Sequence, residues 1–428
     1  MRYLALTDQD RAQMLDKVGV NNVDELYKDV DKSFLNGVVD DLPDGIGEIE
    51  VERQISAFAK KNHSANDGPF FLGAGCYNHH VPSAVDHIIQ RAEYLTSYTP
   101  YQPEISQGTL AVIFEFQNII SKLTGMEVAN ASMYDGATSL AEAVLMALRI
   151  KRKAKNVHIF NDLHPDYRDV LKTYTDIAEV NVVDNIDNLD EISAAVIVTY
   201  PSFEGSIVDL QAIRQKCDEA GALMIVCVTE ILALGLINAP KMADIVVGEA
   251  SSIGVAMSFG GPHLGFFACA KKNVRQIPGR ICGFSLDADN NPAYVLTLNA
   301  REQHIRRDKA TSNICSNQGL MATAFTIHAN LLGENGIKQL ALINHKKACD
   351  LADALADVNG VEVVNENFFN EFVIQISKDA DVVLKQLLED KIIGGLKIAQ
   401  NRILVAATEL NSADDINAYK ESLNKILN

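Results

Sequence analysis

Five short runs carry residues whose types and spacing suit chemistry. SYTPYQPEISQGTL, residues 97–110, sets Tyr98, Thr99, Tyr101 and Glu104 around prolines 100 and 103. Proline fixes its own φ and restricts the residue before it, so these side chains project from a stiff loop. Such a loop either lines a pocket, holding functional groups at low entropic cost, or is a connector that only packs its tyrosines. Helix is expected to resume at Thr109, which can cap it after Gly108. SMYDGATSLAEAVLMAL, residues 132–148, opens an amphipathic helix with Asp135, Gly136 and Thr138. N–H groups at a helix start attract phosphate, but Asp135 can cap those groups itself and compete with an anion. His164, in NDLHPDYRDV, follows an apolar strand and precedes Pro165. It either faces a crevice at the strand end or merely starts a helix. Glu230 ends ALMIVCVTE in the same way, to face a ligand or to cap a turn.

The fifth run, GEASSIGVAMSFGGPHLG, covers residues 248–265. Its small residues and double glycine let a backbone come close to another group. A reactive lysine is common in such a loop, yet no lysine occurs from Met242 through Ala270. FLGAGCYNHHVP, residues 71–82, has glycines but no GxGxxG spacing. His79, His80 and His87 do not make a metal site. Adjacent histidines cannot both turn to one ion from a regular element, and no Cys or acid lies at ligand spacing.

The elements that position these runs alternate. Helical patterns occur in SAVDHIIQRAEYL, TLAVIFEFQNIISKLTG, ATSLAEAVLMALRIKRK, DYRDVLKTY and DLQAIRQKCDEAG, with Gly125 and Gly221 as C-caps. Between them lie NVHIFN, AAVIVTY, ALMIVCV, ADIVVG and LGFFACA, nearly all apolar and too short for helices. Buried parallel strands read this way, and their alternation with helices implies a doubly wound α/β domain. An N-terminal helical arm is expected over residues 1–70, with TDQDRAQMLDKVGV capped by Thr7 and NNVDELYKDV capped by Asn22. The large domain is expected over 71–310. A smaller α+β domain is expected over 311–428, from the helix NQGLMATAFTIHANLLG, a second helix from 337 to 358, the strands VEVVN, FVIQIS and RILVAA, and two further helices.

The 428 residues are 47% hydrophobic and 22% charged, as in ordinary globular chains. A net charge of −18 argues against general nucleic-acid binding, which needs clustered Lys and Arg. The densest basic run, KRKAK, follows a helix and suits its C-terminus. No run approaches the roughly 20 apolar residues of a membrane span, and MRYLALTDQD lacks a leader pattern. Seven Cys without CxxC, six of them in apolar or helical contexts (Cys217, Cys227, Cys269, Cys282, Cys315, Cys349), suit buried thiols in a reducing cytoplasm.

Together these pieces are specific. FLGAGCYNHHVPSAVDHII, TSYTPYQPEISQGTLAVIFEFQ, LTGMEVANASMYDGATSLAEA and SFGGPHLGFFA resemble the glycine cleavage system P-protein (glycine decarboxylase), in the first (α) subunit of its two-subunit form. The resemblance runs over nearly the whole chain. It implies a fold-type-I, aminotransferase-like pyridoxal-phosphate (PLP) enzyme architecture and an α₂β₂ tetramer. The homologous β subunit would bind PLP through the lysine of an HKT motif. Glycine would lose CO₂ there and pass its aminomethyl group to the lipoyl arm of the H-protein. The resemblance places Glu249, Ala250 and Ser251 where that motif lies. It places Asp135, with Gly136 and Thr138, at the phosphate cup, His164 near the ring-stacking histidine, and Glu230 near the acid for the pyridine nitrogen. Here the chain departs from the family, whose α subunits usually read Asp-Pro where this one reads Glu-Ile.

The resemblance therefore implies a subunit that binds no PLP covalently and is inactive alone. Tyr98, Thr99, Tyr101 and Glu104 would complete the partner's site. Two alternatives stand: a self-sufficient enzyme using Lys271 or Lys309, and a scaffold that only docks the lipoyl carrier or stabilises the β subunit. Without its partner the chain is expected to be able to pair with itself, since the partner shares the fold.

Overall fold

The structure, a computed structural model, describes residues 5–35, 43 and 45–428. The opening MRYL, where a leader would begin, and part of the expected arm lie outside the described residues. The chain divides into two compact units, Met1–His63 and Ser64–Asn428.

In the first unit, Thr7 and Asp10 form a capping box on the helix Asp8–Val18. Thr7 Oγ1 accepts the Asp10 N–H at 3.2 Å, and Asp10 accepts the Thr7 N–H at 2.8 Å. Asn22 also caps, accepting the Glu25 N–H at 3.1 Å, but the element it starts is only the 3₁₀ turn Val23–Tyr27. None of its residues is buried, and a short helix is marginal without packing.

The second unit is built on a seven-stranded sheet of order β1-β7-β6-β5-β4-β2-β3. Its strands are β1 Val128–Ala129, β2 Asn156–Ile159, β3 Asn181–Val183, β4 Ser193–Thr199, β5 Leu223–Val228, β6 Ile245–Glu249 and β7 Gly265–Cys269. Successive strand residues serve opposite faces. Val226 and Phe266 pack with the helices Gln107–Thr124, Leu210–Ala220 and Gly319–Ala356. Ile225 and Phe267 pack with Gly136–Ile150 and Pro165–Ile177. Both faces are covered, which is why these strands read as unbroken apolar runs.

From β3 through β6 all pairings are parallel. LGFFACA, expected among the parallel strands, is instead antiparallel to β6, with Glu249 opposite Gly265. Residues 250–264 contain no helix to make a crossover, so the chain can only turn back. That return keeps both ends of the lysine-free loop at the C-terminal edge of the parallel strands.

A hairpin of β8 Ile281–Leu286 and β9 Pro292–Thr297 comes next. The helix Gly319–Ala356 breaks at Gly333, where the backbone leaves helical geometry. The C-terminal part is an antiparallel sheet of β10 Val361–Val363, β11 Glu371–Ile376, β12 Leu396–Ala399 and β13 Arg402–Ala406, in the order β10-β11-β13-β12. It packs with the helices Ala380–Glu389 and Ala413–Leu427 around Phe71, Leu351, Phe372 and Tyr419.

Two local expectations need correction. The helix after the tyrosine loop starts at Gln107, not Thr109. Gln107 Nε2 closes the turn by donating to the Pro103 carbonyl at 2.8 Å, and Thr109 Oγ1 lies 3.3 Å from Ser97 Oγ. Cys217, Cys227, Cys269 and Cys282 are buried and Cys349 is half-buried, but Cys315 is exposed because its segment is a loop, not a helix. Among the described residues no helix is long and apolar enough to cross a membrane.

Gly254 shows how tightly the lysine-free loop is seated. Its φ is +90°, and a Cβ there would lie 2.5 Å from the Ala324 carbonyl oxygen. Gly254→Ala is expected to cost more than about 2 kcal/mol, read from denaturant midpoints, because backbone strain and backbone contact add.

Candidate functional site

Glu249 ends β6 and is buried. One carboxylate oxygen accepts the Gly136 N–H at 3.1 Å. The other accepts the Leu264 N–H at 2.7 Å, the Ser251 N–H at 3.2 Å and the Ser251 hydroxyl. Gly136 is the first residue of the helix Gly136–Ile150, so this carboxylate sits on the positive end of a helix dipole. Asp135 is that helix's N-cap, accepting the Thr138 N–H at 2.7 Å and the Thr138 hydroxyl at 2.9 Å. Two carboxylates therefore occupy the helix start. Ala250 is fully buried, and its N–H donates to the Leu264 carbonyl at 2.8 Å.

Glu230, at the end of β5, is also buried. One oxygen caps the turn Ile231–Gly235 by accepting the Leu232 N–H at 2.8 Å. The other accepts the Ser252 hydroxyl at 2.8 Å and lies 3.2 Å from His79 Nε2. His79 Nδ1 in turn lies 3.0 Å from Glu409. Glu409 also accepts the His80 N–H at 2.6 Å and Asn344 Nδ2 at 2.9 Å. Burial alone would strip the proton from His79, but Glu230 and Glu409 outweigh it and push its pKa up to about 10. Burial opposes ionisation of Glu409, and the bonds from His79 and His80 overcome that, down to about 2. His79 is thus an imidazolium held between two carboxylates. Nearby, Glu371 accepts the Ala74 N–H at 2.5 Å and the Tyr77 hydroxyl at 2.9 Å. Burial, with the Glu230 charge, pushes its pKa up to about 7 against those two bonds.

His164 is the N-cap of the helix Pro165–Ile177. Its Nδ1 accepts the Asp166 N–H at 3.1 Å, and its Nε2 lies 3.0 Å from the Ala74 carbonyl. With Nδ1 accepting, Nε2 is the nitrogen placed to donate to the Ala74 carbonyl. The ring meets Phe203 edge-on at 4.8 Å and Tyr167 at 5.3 Å. Gly136 has no room for a Cβ, which would overlap the Tyr167 hydroxyl. Burial and the Glu249 charge push the Tyr167 phenol well up.

The structure gathers Asp135, Gly136, Thr138, His164, Glu230, Ala250 and Ser251 at the C-terminal edge of the sheet. The tyrosine loop stands apart. Tyr98 is 78% exposed and Tyr101 48%, with Glu104 exposed and Pro100 buried. Among the described residues no hydrogen bond or ring contact joins the loop directly to that gathering. Lys271 lies past Cys269, which pairs with Ile245 at the opposite sheet edge, and Lys309 is in an exposed turn. The histidines diverge: His79 is buried, His80 and His87 exposed. Among the described residues no cluster of three or more His, Cys, Asp or Glu has a ligand arrangement. Sequence reasoning missed the anchoring by His79, Glu371 and Glu409. The two acids come from strands and turns about 300 residues away, so no local pattern announces them.

A doubly wound, mixed sheet with this edge defines the fold-type-I class of PLP-dependent enzymes. The solved structure of a sphingosine-1-phosphate lyase from Burkholderia pseudomallei K96243 shares that fold, with a TM-score of 0.65 at 13% identity over 91% of this chain and 93% of that one. The family model of the glycine cleavage system P-protein matches residues 1–423, and the chain belongs to that family. It is 49% identical, over the full length of both chains, to a probable glycine dehydrogenase (decarboxylating) subunit 1 of Maricaulis maris (strain MCS10). It also matches the crystal structure of an inhibitor-bound glycine decarboxylase (P-protein), with a TM-score of 0.92 and 38% identity over all of both chains.

The residues present do not fit PLP. The strand end that would supply an amine offers Glu249, Ala250 and Ser251. The helix start that would hold a phosphate already holds two carboxylates. Glu230, which the resemblance places near the acid for a pyridine nitrogen, already faces His79.

Stability should respond in two ways. His79→Ala leaves the buried Glu230 and the half-buried Glu409 without a counter-charge and is expected to cost about 3–5 kcal/mol in denaturant unfolding. Glu371 has a raised folded pKa, so its contribution is fully present below its usual 4.5 and is lost as pH rises through about 7. Glu371→Gln should remove that loss, so the variant gains on the parent by a few kcal/mol when unfolding at about pH 8 is compared with about pH 5.

Proposed function

We propose that this chain is the lysine-lacking subunit of a two-subunit glycine decarboxylase. In this reading a second, homologous subunit carries PLP, and the two assemble as α₂β₂. PLP there would supply the electron withdrawal for glycine's loss of CO₂, and the lipoyl arm of the H-protein would accept the aminomethyl group. The observation that carries the reading is the strand end 249–251, where a buried carboxylate on a helix start replaces a reactive amine.

The contribution of this chain is an outward-facing loop. Tyr98, Thr99, Tyr101 and Glu104 are assigned to shape the partner's site and to contact its substrate or cofactor. The exposure of Tyr98, Tyr101 and Glu104 supports that assignment, because exposed, stiffly mounted phenols have a hydroxyl proton available to a second chain. Charged residues at such a boundary set which partner docks and how fast. The domain division at about 310 belongs to the same proposal. It separates a part that carries the loop from a C-terminal part that supplies Glu371 and Glu409.

The purified chain with one equivalent of PLP should show no visible imine band, and borohydride should fix no stoichiometric label on any single lysine, by peptide mass. One lysine labelled stoichiometrically with loss of such a band would end the proposal. In the complex with the second subunit, Tyr101→Phe should lower glycine–bicarbonate exchange about tenfold while sedimentation shows an intact assembly. Unchanged exchange would remove the loop's role and leave a scaffold that stabilises its partner or docks the carrier.

A further inference from the structure

The tyrosine loop is held by a second segment, residues 315–318. Ser316 Oγ donates to Tyr98 Oη at 2.8 Å and lies 3.2 Å from Thr99 Oγ1, so one hydroxyl engages two loop residues. Ser316 is itself fixed from both sides. The Cys315 N–H donates to Tyr134 Oη at 3.0 Å, and the Gln318 N–H donates to Ser132 Oγ at 3.3 Å. Ser132 and Tyr134 directly precede Asp135, the cap of the helix Gly136–Ile150. The hold on the loop therefore runs back to the rigid edge of the sheet.

Arg280 provides the other half. It is 4% exposed and donates to the Cys315 carbonyl. No carboxylate lies within salt-bridge distance of it among the described residues. Its guanidinium lies 5.9 Å from the Tyr101 ring centre, and His304 meets that ring at 5.0 Å. A planar guanidinium can donate along its edge while its face covers an aromatic ring, which an ammonium cannot reproduce. Arg280 thus ties the carbonyl next to Ser316 to the ring of Tyr101.

Tyr98 is 78% exposed, and an exposed ring free to turn loses rotamer entropy whenever it must present a fixed donor. Ser316 has one proton and gives it to Tyr98. The phenolic proton of Tyr98 is then left for an acceptor outside this chain. We propose that Ser316 and Arg280 are positioning residues that hold Tyr98 and Tyr101 in the orientation required across the subunit boundary. This rests on the loop being part of a shared site.

The test uses the complex reconstituted with the second subunit and glycine–bicarbonate exchange as the readout. Ser316→Ala and Tyr98→Phe should each lower kcat/KM about tenfold with sedimentation unchanged. The double variant should be no worse than either single one, since both break one interaction. Ser316→Thr, which keeps the hydroxyl, should restore activity to within about twofold of the parent. Parental activity in Ser316→Ala beside an impaired Tyr98→Phe overturns the positioning role and leaves the shared site standing. Parental activity in Tyr98→Phe overturns both. Losses that multiply in the double variant, to about a hundredfold, also overturn it. If Ser316→Ala does not assemble, Arg280→Lys carries the test. It should lose about tenfold, and parental activity there overturns the proposal.

Discussion

The carboxylate of Glu249 is the tie on which the site's architecture depends. It sits at the last residue of β6 and gathers N–H groups from the helix start at Gly136, the loop at Ser251 and the returning strand edge at Leu264. These groups come from three separated segments, and each would be costly to bury without an acceptor. The helix dipole favours a negative charge at that point. The same property would favour a phosphate, and the chain has supplied an anion of its own. With Asp135 on the Thr138 N–H, two of the first N–H groups of the helix are already taken by carboxylates.

A second internal pairing has the same character with the signs reversed. Glu230 would suit a protonated ring nitrogen, and it meets the protonated ring of His79. Burying such a set is costly unless every member is paired, and here His79 bridges two acids whose other oxygens each take a backbone N–H, while the Ser252 hydroxyl and the Asn344 amide join His79 on the facing oxygens. His79 rides on the segment 71–82, while Glu409 lies just beyond β13. The triad thus binds the glycine-rich segment to both sheets. Glu371 does so again through Ala74 and Tyr77. Interior polar groups in this chain hold segments together, while Tyr98 and Tyr101 of the tyrosine loop stand exposed.

That division lets the fold stand on its own side chains. The apolar faces of the sheet need no cofactor to pack, since Val226 and Phe266 on one side and Ile225 and Phe267 on the other sit in clusters closed by the chain's own side chains. What a cofactor's charges would have satisfied is satisfied instead by side chains with matching charge. The edge stays ordered, and through Ser132 and Tyr134 that order extends to Ser316 and the loop it holds.

Much of this was legible in the residues alone. Unbroken apolar runs of strand length between amphipathic helices require a sheet covered on both faces, and local capping at Thr7, Asn22 and Asp135 depends on neighbours within three residues. The absence of lysine from Met242 through Ala270 needs no structure to be seen. The direction of β7 was not legible, because an apolar strand pairs equally well either way and the missing crossover decided it. Nor was the hairpin β8–β9, whose half-exposed strands carry no strong apolar run. The partners of Glu249, Glu230 and His79 were decided only by tertiary structure. A carboxylate at a strand end can cap, pair or bind a ligand, and which it does depends on donors brought from up to about 300 residues away, a matter of three-dimensional proximity that sequence spacing does not encode.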